Sequence, residues 1–216
     1  MTKRIFGFLL GATVWLLTSA ATPSKEVKDH LTLGNSLAKK GDYQNAVKEY
    51  EKALKADKKN PDTQRLLALT YGRMKKLDKA LDHAKDLIKI DPSYASYLTL
   101  GQVRAAREEF ESAIEAFNKA EALSPESYEV AYQKGIVYAS RKKFEQAVDA
   151  YEHALKLNSK FGDAHVGLAG AYYGLGERDK VLEQIEKLKE LGRTDLADGV
   201  KLWLAKKDAA SPHPTA

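Results

Sequence analysis

Apolar residues along this chain recur with a helical period, and the helices themselves recur with a longer one. Between Val27 and Lys40, Leu31, Leu33, Gly34 and Leu37 form a stripe on one helix face. The run "KKGD" then breaks the pattern, with Gly41 suited to the left-handed turn that ends a helix. From Tyr43 to Ala56, Ala46, Val47, Tyr50, Ala53 and Leu54 stand at i, i+1, i+4, i+7 and i+8, which predicts a second amphipathic helix. Related phrases begin at Lys76 ("KLDKALDHAKDLIKID"), Glu109 ("EFESAIEAFNKAEALS"), Lys142 ("KKFEQAVDAYEHALKLN") and Glu177 ("ERDKVLEQIEKLKELG"). Aligned, they put Ala46, Ala80, Ala113, Ala147 and Val181 in one column, with steps of 34, 33, 34 and 34 residues. Ala53, Leu87, Ala120, Ala154 and Leu188 form a second column, and Gly34, Ala68, Gly101, Gly135 and Ala169 a third, with the same steps. Three columns in phase over five copies predict stacked helix hairpins. Pro61, Pro92 and Pro125 fall at or near the joints between units, where proline ends one helix or opens the next.

A small residue facing the second helix, then Ala, an aromatic and Ala, resembles the tetratricopeptide repeat. "GDYQNAVKEYEKALKAD" and "KGIVYASRKKFEQAVDAYEHALKLN" carry the resemblance most fully. Unit two has Ala84 in place of the aromatic, and unit five departs furthest, with Arg178, Val181 and Ile185. The resemblance implies an all-α, right-handed α-α superhelix closed by a C-terminal capping helix. The expected divisions are a leader over 1–21, a linker over 22–25 and an array over 26–192, with units at about 27–60, 61–93, 94–127, 128–161 and 162–192. A capping helix over 194–207 follows, with Thr194 or Asp195 as its N-cap and Leu196, Val200, Trp203 and Leu204 on its apolar face. Residues 208–216 read as a loose tail.

The N-terminus adds a destination. "MTKR" is a positive head, Ile5 to Leu17 is uncharged, and "TSAAT" places small residues where a signal peptidase cuts. This predicts export, a periplasm being the simplest compartment; an uncut segment would instead tether the array to the membrane. The chain has no cysteine, which excludes disulfides, thiolate chemistry, Cys-based zinc sites and a lipoprotein anchor. Without Lys3 and Arg4, 33 basic residues face 30 acidic ones, too mild an excess for a nucleic-acid binder.

No catalytic or cofactor constellation is expected. The five histidines include no i, i+4 pair of the H-E-x-x-H kind. His153 and His165 flank a turn near Glu152 and Asp163, but hydrogen-bonded or solvated histidine is the favoured reading over a metal site. "GLAGAYYGLGERDK" is glycine-rich yet lacks G-K-[ST] and follows no strand, so its glycines serve packing or loosen the helix. The carboxylates lie in the i, i+4 pattern of solvated helix faces.

The resemblance places the partner-binding groove on the free side of each unit's first helix. In phase there are Asn35 in unit one, Arg65, Leu69 and Arg73 in unit two, Gln102 in unit three, Tyr132 and Ile136 in unit four, and Tyr173 in unit five. The N-terminal half of this row is basic and the C-terminal half more apolar and aromatic, with Glu129 and Asp163 at its edge. A Lys/Asn carboxylate clamp, known in part of the family, needs lysine one turn before Asn35, where this chain has Leu31. The expected role is therefore a protein or peptide scaffold, with Arg65 and Arg73 meeting an acidic group and Tyr132 and Tyr173 meeting apolar ones. The alternatives are a membrane-tethered envelope assembly factor and a binder of envelope polymers or small ligands. Arg104 and Lys134 interrupt core columns and are expected to run out to water along the surface, or else to serve a partner.

Overall fold

The computed structural model describes residues 23–210; the expected leader and residues 211–216 lie outside it. The described residues form eleven α-helices and no strand. Unit one pairs α1 (Lys25–Lys39) with α2 (Tyr43–Ala56), and unit two α3 (Pro61–Arg73) with α4 (Leu77–Ile90). Unit three pairs α5 (Tyr94–Ala106) with α6 (Phe110–Leu123), and unit four α7 (Tyr128–Ser140) with α8 (Phe144–Leu157). Unit five pairs α9 (Gly162–Gly174) with α10 (Arg178–Glu190), and α11 (Thr194–Ala210) follows.

Each hairpin turns by the same device. The backbone N–H of Asp42 donates to Leu37 O at 3.0 Å, and Lys76, Glu109, Lys143 and Glu177 donate to Tyr71, Arg104, Tyr138 and Tyr172 at 2.9 Å. The corner residue takes positive φ every time: Gly41 81°, Lys75 60°, Glu108 63°, Lys142 57° and Gly176 77°. Gly41 thus does what its place in the sequence predicts, while units two to four force a side chain into that conformation. At the joints between units, Asn60 and Ser127 cap α3 and α7 by accepting from Thr63 N (2.9 Å) and Val130 N (3.4 Å), with Pro61 in the first turn of α3.

Packing inside a hairpin follows the small-residue column. A Cβ added at Gly34, Gly101 or Gly135 would stand 2.4, 2.4 and 2.5 Å from the rings of Tyr50, Phe117 and Tyr151. Those rings are buried, so glycine here lets a whole aromatic side chain cross under the first helix. Ala68 and Ala169 face the smaller Ala84 and Ile185 instead, and all four are buried.

Between units, α3 touches α5, α5 touches α7, α7 touches α9 and α9 touches α11. The second helices make no comparable contacts with one another. The first helices are therefore the more closely spaced row, and the array curves with them on its inner side.

Among the described residues, the last helix is a first helix that no second helix follows. Ala197, Val200 and Leu204 are buried at the spacing that Ala164, Gly167 and Ala171 have in α9, a step of 33 residues. Leu202 then falls in the small-residue column and is 59% exposed, beside exposed Asp198, Lys201 and Ala205. A mostly polar outer face of this kind ends an array in water. Arg178 grips Asp208 through two hydrogen bonds of 2.5 and 2.7 Å, and the helix runs to Ala210, past the boundary expected at 207. Thr194 and Asp195 are both already helical, so neither serves as the N-cap. At the other end Asp29 and Ser36 are exposed, as is Leu33 at 49%.

Candidate partner-binding surface

The eight residues expected to line the groove all lie on first helices, α1, α3, α5, α7 and α9. The structure separates them by what already occupies each side chain. Arg73 and Asn35 are exposed, and Arg65, Leu69, Gln102, Tyr132, Ile136 and Tyr173 are half-buried. Arg73 has no hydrogen-bond or ion-pair partner among the described residues, and neither do the side chains of Lys28 and Lys39 on the same row. Arg65 is already engaged: its guanidinium pairs with Asp62, one turn earlier on α3. Asn35 accepts the Tyr50 hydroxyl at 2.8 Å.

The aromatic residues are also partly spent on packing. Tyr132 stands edge-on to Phe161, centroids 4.9 Å apart, and 5.7 Å from the Tyr151 ring. Burial, with Asp163 beside it, raises its phenol above the ordinary value. Ile136 packs against the core of units four and five. Tyr173 stands edge-on to Trp203 of α11 at 4.9 Å. The inner row thus has three unpaired cations in units one and two and a partly filled aromatic floor in units four and five.

An open cleft lies where the floor meets the cap. Val166, Ala169 and Gly170 of α9 face Leu196, Gly199, Val200 and Trp203 of α11 across about 480 Å³, with Asp195 at the rim. Sequence reasoning placed Trp203 on the apolar face of the cap but did not bring it to the inner row. The signal was available: shifting α11 by 33 residues onto α9 puts Trp203 in the column of Asn35, Leu69, Gln102, Ile136 and Gly170.

Histidines tie helices together. Nδ1 of His30 meets Glu49 at 2.8 Å, Nδ1 of His83 meets Gln64 at 2.7 Å, and Nδ1 of His165 meets Gln184 at 2.8 Å. Each pair joins the first and second helix of one unit, at a separation of 19 residues. Hydrogen bonds from Lys52 and His30 hold the Glu49 carboxyl below its ordinary value. Tyr71, stacked on His83 at 5.5 Å, is pushed up to about 12 by burial and its bond to Glu51. Among the described residues no group of three or more His, Asp or Glu is placed to hold a metal ion. Arg104 and Lys134, expected to run out to water, find partners within the chain. Arg104 donates to the Ser112 carbonyl at 3.0 Å, and Lys134 pairs with Glu121 at 2.9 Å.

Comparison with known proteins agrees with this geometry. Two repeat descriptions, "TPR repeat" over residues 34–75 and "Tetratricopeptide repeat" over 66–94, 94–127 and 128–161, together span the array from α1 to α8. The chain belongs to the tetratricopeptide repeat family. Among curated proteins it is similar to mouse BBSome complex member BBS4, 26% identical over 122 residues, which is 56% of this chain and 24% of that protein. This match spans about a quarter of that relative's length. Among solved structures, a MamA crystal structure is 30% identical over 75% of this chain and 95% of its own, with TM-score 0.61. The thermophilic TPR protein TTC0263 of Thermus thermophilus is 26% identical over 83% and 97%, with TM-score 0.72. As a tetratricopeptide repeat protein, the chain is a scaffold for protein–protein interaction.

Proposed function

We propose that this protein is an exported, non-catalytic scaffold that takes a segment of a partner protein along its inner surface. One observation carries the reading: the inner row keeps unpaired Lys28, Lys39 and Arg73 at one end and an unfilled apolar cleft at the other. Such a surface suits a segment with carboxylates towards units one and two and apolar side chains towards unit five. The repeat columns consume the small and aromatic residues in packing, which leaves the non-repeating side chains of the first helices to choose the partner. The name of the BBS4 relative marks that protein as a member of an assembled complex, in keeping with a scaffold role here. The leader pattern supports export, and an N-terminus near Ala21 or Thr22 on the protein recovered from cells would exclude a tether.

The test is capture from an envelope extract with the wild-type chain and with Arg73→Glu combined with Lys39→Glu. A defined protein retained by the wild type, released by salt and lost from the variant supports the reading. Equal capture by both chains excludes the inner surface as the docking face.

A further inference from the structure

Glycines along the helices distinguish what the fold needs from what it leaves empty. Gly34, Gly101, Gly135, Gly167 and Gly174 are sterically required, because a Cβ on any of them would come within 2.6 Å of an aromatic ring, whereas one on Gly162 would meet only the movable ends of Leu196 and Arg193. Gly72, Gly170 and Gly199 meet nothing within 4 Å, and none has a positive φ. Each lies within a helix, where glycine is less stable than alanine, and packing offers no compensation. All three stand on the inner surface. Gly72 shares a column with Ala105, Ala139 and Tyr173, and Gly170 and Gly199 line the cleft between α9 and α11. The cleft is open because these two positions carry no side chain; its walls are Val166, Ala169, Leu196, Val200 and the Trp203 ring.

We infer that this cleft is an anchor pocket for one bulky apolar side chain, leucine- to phenylalanine-sized, of an acidic partner segment. The walls fix the anchor's apolar character. Charge complementarity fixes where the segment's carboxylates lie. The unpaired charges of the row in units one and two are Lys28, Lys39 and Arg73, with Asp62 engaged by Arg65. At the cleft end Asp195 is engaged by Arg193 and Asp163 is exposed, so the carboxylates belong towards units one and two. The inference rests on the inner surface being the docking face, and the test separates the two.

Trp15 and Trp203 are the two tryptophans, so the full chain with Trp15→Phe reports the cleft through a single indole. Peptides enriched on that immobilised chain from a phage-displayed library of random dodecapeptides serve as the probe. The expected peptides are net negative and share a Leu, Ile, Met, Phe or Trp, and their binding shifts Trp203 emission. Gly170→Leu and Gly199→Leu each weaken binding by about tenfold or more, as expected for losing burial of one large side chain. The double alanine variant Gly170→Ala/Gly199→Ala, which fits the open space and favours the helix, melts no lower than wild type and still weakens binding severalfold. Binding that Arg73→Glu weakens, but that the glycine variants and Trp203 do not register, overturns the anchor pocket and leaves the docking face standing. Failure to enrich any peptide, or binding indifferent to all of these variants, overturns both. Trp203 emission that changes with the chain's own concentration assigns the cleft to a second copy and overturns the inference.

Discussion

Units four and five are neighbours with the same hairpin, yet they solve three local problems differently. Unit four puts Gly135 under the ring of Tyr151, while unit five puts Ala169 against Ile185. Unit four turns its corner with Lys142 at φ 57°, unit five with Gly176 at φ 77°. Unit five joins its helices through His165 and Gln184; the same two places in unit four hold Ala131 and Ala150. Without a bridge there, unit four keeps an outer cleft of about 250 Å³ beside Lys134, Tyr138, Asp149 and His153. The repeat specifies a geometry, and more than one set of contacts satisfies it.

The largest effect is expected where the two solutions exclude each other. Tyr151 is wedged from both sides: a Cβ at Gly135 would stand 2.5 Å from it, and one at Gly167 of α9 2.6 Å. Gly135→Ala therefore brings unit five's residue onto unit four's ring and should cost about 1–3 kcal/mol, despite alanine's better helix propensity. Ala169→Gly, the reverse change in unit five, meets no ring and should cost about 1 kcal/mol. In a double-mutant cycle, Gly135→Ala and Tyr151→Ile should couple by about 1 kcal/mol or more, because the smaller side chain removes the clash. Urea midpoints of the four chains decide it; strict additivity would mean that the close approach is relieved elsewhere.

Next in size is the bridge. His165 and Gln184 are both buried, at 8% and 7% exposure. His165→Ala leaves the Gln184 amide buried without its partner, at about 1–3 kcal/mol. His165→Ala with Gln184→Ala recreates unit four's arrangement and should cost no more than the worse single change, since neither polar group is then stranded. A double variant that simply adds the two single losses would show that the bridge does more than satisfy two buried groups.

These contrasts also mark how far the sequence could be read. The small-residue, alanine and aromatic columns were legible because each is forced by helix crossing and returns in phase. The bridges were not, because histidine changes sides: it is on the first helix in His30 and His165 and on the second in His83. The two columns involved hold Tyr97 or Ala131 and Ala116 or Ala150 in the units without a bridge. The inner row was legible as a set of positions, Asn35 to Tyr173, since the phase of the first helices determines it. Its state of engagement was not. Arg65 is held by Asp62, Tyr173 meets Trp203 of the helix after the last hairpin, and the cleft lies beside helical glycines that carry no side chain.

A smaller effect is expected at the corners, where one solution is simply better. A lysine in the left-handed region is strained in a way that glycine is not, so Lys142→Gly should stabilise the chain by about 1 kcal/mol, less the extra freedom glycine gives the unfolded state. Gly176→Lys should destabilise by a similar amount, and thermal melts of both variants check the symmetry. An unchanged melt for Lys142→Gly would mean that the Lys142 side chain makes up its strain in place.

The smallest and most local effect is a response to acid, and it sets unit two apart from unit four. Burial in unit two lowers the pKa of His83 from its ordinary 6.5, against the opposing pull of Asp86, Glu51 and Asp82 and with Lys79 adding to the lowering. The sign follows directly. As pH falls through 6.5 the unfolded chain takes up the proton first, so stability is lost between 6.5 and the lower folded value and is full above 6.5. The imidazolium, once formed, would sit stacked on Tyr71 beside Gln64 Oε1, in a site selected for the neutral ring. Amide protection in α3 and α4, measured by hydrogen exchange, should therefore fall from about pH 7.5 to about pH 5.5, after correction for the intrinsic rate. Protection in α7 and α8, which have no such histidine between them, should not follow. His83→Gln should remove the difference between the two hairpins, and a fall that persists in that variant would place the acid response elsewhere in unit two.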